Sequence, residues 1–334
     1  MAFRFGTPRF KTPRFKIFGL AVIMASALTA SPSLAQDAIK VMVFPGLQNL
    51  PIFAAQAKGL FEKRKLAVEV LPAPSSDVLR GGLIKNDHQI VHGAVDNALA
   101  MADVAKADIA VLMGGDSGWN HIFTQADTPS IKDLRGKTVI VDAPATAYAF
   151  QVYEVLKRNG LNKGDYEIRP VGSTFRRFDA MKNDKTSGAS TLNPPFSILA
   201  RRAGLKDTGE VVKTIGPYQA TAAWVMKSWA QANSDVLVRY IQAYIEGLRW
   251  SLDSKNKDEA IGLLVKNLKL EPDVAAESYA IAVDPQSGMA TDAAFDLEGF
   301  KNVLKLRADW AGGTPGMPEK YIDLSYYNKA LAGL

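Results

Sequence analysis

From residue 39 onward, short apolar runs alternate with amphipathic stretches. Runs of four to eight apolar residues between turn residues are typical of buried strands, whereas apolar residues at three-and-four spacing are typical of helices. Strands are predicted at 39–43, 67–71, 90–94 and 109–113, with helices between them at 50–64, 76–83 and 97–104. This alternation predicts a first α/β lobe with a largely buried sheet.

A second set of the same kind follows. It predicts strands at 121–125, 138–141, 166–170 and 188–191, and helices at 146–159, 175–183 and 195–203. Gly160 and Gly204 follow two of these helices, at the position where a left-handed C-cap is expected. The pattern therefore predicts a second α/β lobe.

After a strand at 221–226 the pattern becomes helical, with a long amphipathic helix whose apolar residues run from Val236 to Leu248 and further helices at 259–267, 275–283 and 293–310. A return to the first lobe requires two crossings, predicted at 114–120 and 215–220 because glycines and Pro217 interrupt the pattern there. The predicted organisation is a first lobe of 36–116 plus 220–334, a second lobe of 117–219, and a cleft between them.

The N-terminus carries five basic residues before an uncharged apolar run from 17 to 30, followed by Ser33-Leu34-Ala35. This order predicts a secretory signal peptide over 1–35, cleaved before Gln36, since the run is short for a membrane span. The alternative is an uncleaved N-terminal anchor helix.

Without residues 1–35 the net charge falls from +6 to about +1. The excess of basic residues therefore lies mainly in the predicted signal peptide. The remaining chain shows no basic face of the kind that nucleic-acid binding requires. The sequence has no cysteine, which excludes disulfides, thiolate sites and lipidation of a cysteine. We expect a monomer that is free in the periplasm.

Candidate ligand contacts lie in loops that follow strands, because ligands of α/β sheets bind beyond the carboxyl ends of the strands. The candidates are Gln48, Asn49, Asp96, Asn97, Trp119, Asn120, Ala145, Thr146, Tyr148, Asn193 and Tyr218.

Several of these residues have a structural alternative. Asn49, Asp96 and Thr146 are of the types that cap helices, and Trp119 could pack between lobes instead of stacking on a ligand. The small-residue loop at 143–147 opens a helix whose first N–H groups suit an anion. Arg176 and Arg177 could reach an anionic ligand or lie on the solvated surface.

The sequence predicts no catalysis, cofactor or metal. His88 and His92 have the spacing of a helical zinc pair, but that stretch has the pattern of a strand and a third ligand is not apparent. Neither a phosphate-binding glycine loop nor a Gly-x-Ser-x-Gly elbow occurs in the sequence.

Two stretches resemble the nitrate/sulfonate/taurine/thiamine-precursor family of ABC solute-binding proteins. One runs from Pro51 through Lys58-Gly59-Leu60-Phe61-Glu62-Lys63 to Glu69, and the other is Leu134-Arg135-Gly136-Lys137-Thr138-Val139. The resemblance covers roughly residues 40–229. It implies a type II periplasmic-binding-protein fold, with two α/β lobes, a two-crossing hinge and a helical C-terminal part on the first lobe. It also implies hinge closure on a small solute and docking on a membrane permease.

The ligand and two rival functions stay open. A small organic anion or zwitterion fits the resemblance, whereas an aromatic or heterocyclic solute would stack on Trp119 or Tyr218. Enzymes that resemble this family depend on cysteine, which this sequence lacks. A periplasmic sensor would share the fold and differ only in its partner.

Overall fold

The computed structural model describes residues 36–334. The predicted signal peptide at 1–35 lies outside the described residues. The strands are β1 (Asp37–Val43), β2 (Leu66–Pro72), β3 (Ile90–Ala94), β4 (Ile109–Met113), β5 (His121–Thr124), β6 (Thr138–Val141), β7 (Glu167–Pro170), β8 (Ser187–Leu192), β9 (Lys206–Glu210) and β10 (Thr221–Met226).

Helices surround these strands. They are α1 (Leu50–Ala57), α2 (Leu60–Lys63), α3 (Ser76–Lys85), α4 (Asp96–Asp103), α5 (Ala147–Arg158), α6 (Thr174–Asn183), α7 (Phe196–Arg202), α8 (Val211–Ile215), α9 (Lys227–Ala232), α10 (Ser234–Leu252), α11 (Lys257–Leu268), α12 (Pro272–Ala282), α13 (Leu297–Ala311) and α14 (Ser325–Ala332).

The strands form two five-stranded sheets with the same topology. The first has the order β2-β1-β3-β10-β4 and the second β7-β6-β8-β5-β9. In each sheet the fourth strand, β10 or β5, is antiparallel to its neighbours and is the first strand after the chain crosses from the other sheet. We call the units built on these sheets the first and second lobe. The predicted α/β fold with two lobes and two crossings is confirmed.

Apolar strands place the core of the first lobe. All five residues of β4 are buried although this strand lies at the edge of its sheet. Its free edge is covered by the chain before α14, because Val111 N–H donates to the Tyr321 carbonyl at 2.8 Å and Asp323 N–H donates to the Val111 carbonyl at 2.9 Å. This cover protects a hydrophobic edge strand from pairing with another chain.

The C-terminal helices pack on the first lobe, as predicted, and two of them also reach the second lobe. The apolar face of α10 lies against α1 and α14. On α13, Trp310 lies with its ring 5.4 Å from that of Tyr153 and donates to Glu154 on α5 at 3.2 Å. On α12, Glu277 accepts from Arg202 of α7 at 3.1 Å. Contacts between the lobes therefore extend beyond the crossings.

Three local features differ from the sequence prediction. The helix predicted at 50–64 is divided into α1 and α2, because Gly59 adopts a left-handed φ of 63° between them. Strand β9 was not predicted, since its sequence, Lys-Asp-Thr-Gly-Glu, is polar and lies at a sheet edge. The helices α8, α9 and α14 were also not predicted. Left-handed φ values of 84° at Gly160 and 82° at Gly204 confirm the two predicted turns.

Asp116 ties the two crossings together. Its backbone carbonyl accepts from the N–H of Ala220 at 3.0 Å and of Thr221 at 3.3 Å. Its buried carboxylate accepts from Gly118 N–H at 2.7 Å and from the Thr221 hydroxyl. A side chain at Gly115 would collide with Thr221, with its Cβ only 2.3 Å from Oγ1, so the close approach of the crossings requires glycine there.

A buried ion pair fixes α13 to α4. Arg307 Nη1 donates to Asp96 Oδ1 at 2.9 Å, and both side chains are at most one-tenth exposed. Burial raises the pKa of Asp96, and Arg307 opposes that rise. Removing one partner of a buried pair leaves a desolvated charge, which is costly.

Replacement of Asp116 by asparagine should change how stability depends on pH. Burial raises the pKa of Asp116 from 3.8 to about 6, so the folded state binds more protons than the unfolded state between these values. The stabilisation from the protonated Asp116 carboxyl is complete below about pH 4 and is lost as pH rises through about 6. We expect Asp116→Asn to gain about 3 kcal/mol relative to the native chain between pH 4 and 7.

Urea unfolding across that pH range measures this difference, with Asp235→Asn as an exposed carboxylate control. A difference between the native chain and Asp116→Asn that does not vary with pH would contradict the assignment.

Replacement of Arg307 by leucine should destabilise the chain by about 3–5 kcal/mol, because Asp96 would remain buried without its partner. Lys305→Leu on the same helix is the matched control. Its ion pair with Asp309 is exposed, so its loss should cost about 1 kcal/mol or less. Denaturant unfolding measures the free energy of unfolding of both variants. Equal losses would show that the buried pair contributes no more stability than the exposed one.

Candidate functional site

A cleft of about 610 Å³ lies between the two lobes. Its lining comes from the first lobe at 44–46, 48, 73–77, 93, 94, 97 and 221, from the second lobe at 142, 143, 146–148, 172–177, 193, 195, 196 and 199, and from the end of α11 at 267–270.

The lining follows from the topology of the sheets. In the first lobe it includes the turns after β1, β2 and β3, and in the second lobe the turns after β6, β7 and β8. The carboxyl ends of these strands lead into the N-termini of helices, so N–H groups and short polar side chains converge on the cleft. The ligand site was predicted between the lobes, and this cavity lies there.

Five predicted contacts line the cleft, namely Gln48, Asn97, Thr146, Tyr148 and Asn193. Gln48 donates to the Phe44 carbonyl at 2.9 Å, and its Oε1 has no hydrogen-bond partner among the described residues. Asn97 Oδ1 accepts from Arg80 at 3.4 Å. Their position is established, whereas their contact with a ligand stays a prediction.

For Thr146 the capping role is present, and its contact with a ligand stays a prediction. Thr146 lines the cleft and caps α5, since its hydroxyl oxygen accepts from Ala149 N–H at 3.4 Å. The same hydroxyl donates to the Asp142 carboxylate. An acidic side chain therefore already lies at the N-terminus of α5, which makes this helix end a weaker anion seat than predicted.

Three other predicted contacts do not line the cleft because the core of the first lobe contains them. Asp96 is buried in its ion pair with Arg307. Tyr218 is 3% exposed and packs in the hydrophobic cluster around α13. Asn49 is buried and donates to the Phe44 carbonyl at 2.7 Å, and its side chain does not cap α1.

The remaining three are also not part of the cleft lining. Trp119 packs against α11 and α12, where its indole N–H donates to the Ser287 carbonyl at 2.6 Å. Asn120 is buried and donates to Gln151 at 2.8 Å. Ala145 is exposed on the loop before α5. For Trp119 the structure supports the packing alternative.

Arg177 is the main residue of the cleft that the sequence did not select. The sequence left it between ligand contact and solvated surface, but its guanidinium lines the cleft and is 1% exposed. It donates to the carbonyl of Gly172 at 2.7 Å, to Ser190 Oγ at 3.2 Å and to Thr174 Oγ1 at 3.1 Å, and also to the Thr191 carbonyl at 3.2 Å. All four acceptors are neutral.

The charge of Arg177 is thus held in place without being neutralised. Burial lowers the pKa of this guanidinium, and the nearby Asp142 carboxylate opposes the shift. Among residues 36–334, no carboxylate lies within ion-pair distance of it. An arginine remains protonated even so, and the cleft therefore has a positive group at its wall.

The N-terminus of α6 adjoins this charge. Ser173 precedes the helix and makes no capping bond through its side chain, and the first intrahelical bond joins Arg177 N–H to the Ser173 carbonyl. The N–H groups of residues 174–176 therefore lack an intrahelical acceptor, as at any helix start, and these residues line the cleft. A buried guanidinium and a helix N-terminus together favour an anionic group.

Two further observations concern the described residues. Between 36 and 334, no helix combines the length and apolar character needed to cross a membrane. In the same part of the chain, no three acidic or histidine side chains cluster in a way that could hold a metal ion. His92, one of the two histidines considered above, is buried with its Nε2 2.9 Å from the Tyr240 hydroxyl, and burial lowers its pKa to about 3.

The two sheets, the two crossings and the interlobe cleft define a protein with the periplasmic-binding-protein fold. The NMT1-like family matches residues 33–265, and the chain belongs to this family. Its structural neighbours include sulfonate- and nitrate-binding periplasmic proteins of ABC importers, so the resemblance inferred from the sequence is confirmed. No curated protein sequence matches the chain significantly.

Three solved structures illustrate the likeness. The ligand-binding component of an ABC-type import system from Staphylococcus aureus, with zinc bound, has a TM-score of 0.73 and 15% identity over 88% of this chain and 99% of its own. The nitrate-binding protein NrtA from Synechocystis PCC 6803 has a TM-score of 0.73 and 13% identity over 90% and 89%. The alkanesulfonate-binding protein SsuA from Xanthomonas axonopodis pv. citri, bound to MOPS, has a TM-score of 0.64 and 15% identity over 81% and 90%.

These identities establish the fold and leave the ligand open. Most of the structural neighbours are binding proteins, but the fold also occurs in DSZB, which is an enzyme. The function of this chain must therefore be argued from its own cleft.

Proposed function

We propose that this protein is the exported substrate-binding component of an ABC importer, which captures a small organic anion or zwitterion between its lobes and delivers it to a membrane permease. The observation that carries the proposal is the interlobe cleft with the buried, un-neutralised guanidinium of Arg177 in its wall. The structural neighbours in ABC import systems support the transport role.

The electrostatics of the cleft favour an anionic group on the ligand. A bound carboxylate or sulfonate would neutralise Arg177 and accept from the N–H groups that open α6. Asp142 lines the same cleft and offers a carboxylate to an ammonium group, which extends the proposal to zwitterions. Asp96, which would repel an anion if it faced the cleft, is instead paired with Arg307.

Transport requires release of the ligand as well as its capture. Two lobes joined by two crossings could open and close to do both. We propose lobes of 36–116 plus 220–334 and of 117–219, which close on the ligand by a hinge motion at the segments tied by Asp116. Arg202 of α7 already contacts Glu277 and Asp273 of α12, so pairs of opposite charge are in place between the lobes.

A catalytic role has little support in the chain. Enzymes that resemble this family depend on cysteine, and the sequence contains none. Tyr148 lies in the cleft, but burial raises its pKa well above the usual range, so it is poorly suited to act as a base. We propose that the protein works as a monomer in the periplasm, exported by the predicted signal peptide.

A ligand of the proposed class should raise the melting temperature of the chain from Gln36 onward. At a hundred times Kd, binding to the native state adds about 2.7 kcal/mol, equivalent to a shift of about 5 °C. The probes are taurine, ethanesulfonate, benzenesulfonate, benzoate and nitrate, tested by thermal shift and calorimetry. No shift with any of them would contradict capture of an organic anion.

Paired variants test the site itself with whichever probe binds. Asn193→Ala removes an amide that lines the cleft and should weaken binding about tenfold. Trp119→Phe alters a similarly buried residue outside the lining and should leave the affinity unchanged. A larger loss of affinity in Trp119→Phe than in Asn193→Ala would contradict the placement of the ligand site in this cleft.

Hinge closure predicts that the same ligand makes the protein more compact. Small-angle scattering with and without saturating ligand should give a smaller radius of gyration for the complex, because contacts from both lobes favour the closed arrangement. Identical scattering curves, with binding verified by calorimetry on the same sample, would rule out closure.

A further inference from the structure

Phe175 is an unusual residue of the cleft wall. It lies in the first turn of α6 and is 55% exposed. Seven large hydrophobic side chains of the described residues are exposed to a comparable degree, and Phe175 is the one among them that lines the cleft. A ligand that covers this ring would remove apolar surface from water, which favours binding.

Neighbouring aromatic rings hold Phe175 in place. The ring of Phe196, which also lines the cleft, lies 6.2 Å from that of Phe175 at an angle of 55°. Phe178 supports Phe196 from behind, with ring centroids 6.1 Å apart, and is itself 9% exposed. The exposed ring is thus the outer member of an ordered row, and little side-chain entropy would be lost when a ligand covers it.

The opposite wall contributes apolar side chains as well. Phe44 approaches from the first lobe, and Leu268 and Leu270 from the end of α11. An inorganic anion such as nitrate would occupy only a small part of a cavity of about 610 Å³, which is within the range of sites for drug-sized ligands.

The positive group of the cleft lies beside another aromatic ring of its lining. The guanidinium of Arg177 lies 5.9 Å from the ring centroid of Tyr148, and both residues line the cleft with Phe175. A ligand that uses both features must therefore have a charged group and a ring within one small molecule.

We infer that the ligand is an organic anion that carries an aromatic ring, with its anionic group placed by Arg177 and the N-terminus of α6, and its ring against Phe175 and Phe196. This inference rests on the proposed capture of an organic anion and specifies the class of that anion. The ring of the ligand would pack on Phe175 in an edge-to-face or offset arrangement, which contributes more than apolar burial alone.

The test compares two anions of the same charge and similar size. Benzenesulfonate has an aromatic ring and cyclohexanesulfonate does not, so their affinities, measured by calorimetry, isolate the aromatic contribution. We expect benzenesulfonate to bind about 2- to 10-fold more tightly. Benzoate, in a parallel arm, shows whether a carboxylate or a sulfonate is the preferred anionic group.

A substitution assigns the preference to its residue. Phe175→Leu keeps an apolar side chain without the ring and should bring the affinity ratio close to one, whereas Ile84→Ala, at 48% exposure outside the cleft, should leave the ratio unchanged. Equal binding of the two sulfonates, or a ratio that survives Phe175→Leu, would overturn this inference while the proposed capture of an organic anion stands. Failure of every anion to bind would overturn both.

Discussion

The tie between the two crossings at Asp116 is the contact on which the geometry of the cleft depends. One residue accepts four hydrogen bonds, two on its carbonyl and two on its carboxylate, from Gly118, Ala220 and Thr221. These bonds join both crossings at one point and thereby hold the two segments close together. Left-handed φ values of 87° at Gly118 and 90° at Gly216 flank the tie. A rotation of one lobe relative to the other would therefore turn about Asp116, next to Thr221 in the cleft lining.

Among residues 36–334, the two buried arginines, Arg177 and Arg307, have opposite surroundings. Arg307 is neutralised by Asp96, and this pair serves to join α13 to α4. Arg177 has only neutral acceptors, which satisfy its geometry and leave its charge without a counterion within ion-pair distance among the described residues. A buried charge is costly unless something compensates it. Under the proposed function, an anionic ligand would supply this compensation beside Asp142, and the cost of burying Arg177 would favour anions.

The period of apolar residues was enough to predict most strands, the lobe order and the loops that form the cleft, since these features depend on local pattern and on the carboxyl ends of strands. It could not predict β9, whose polar residues carry no periodic signal. Among site residues, Gln48, Asn97 and Asn193 could be found because they follow strands. Asp96 follows a strand too, but its partner Arg307 lies 211 positions away, beyond the reach of local reasoning.

Residue type misled the prediction in two further cases. Trp119 has a side chain suited to stacking on a ligand. Its backbone φ of 47° and its hydrogen bond to the Ser287 carbonyl instead place the indole against α11 and α12. Arg177 stands near a helix start, where arginine is usually solvated, and only the position of β8 beneath α6 shows that it is buried. The same helix start leaves Phe175 exposed. Because α6 carries both Arg177 and Phe175, a ligand bound to α6 would contact both from one helix. Phe44 belongs to the other lobe, so the ligand would contact Phe44 only when the two walls of the cleft are close together. Differential affinity of that kind is what lets a ligand favour one arrangement of two lobes over another.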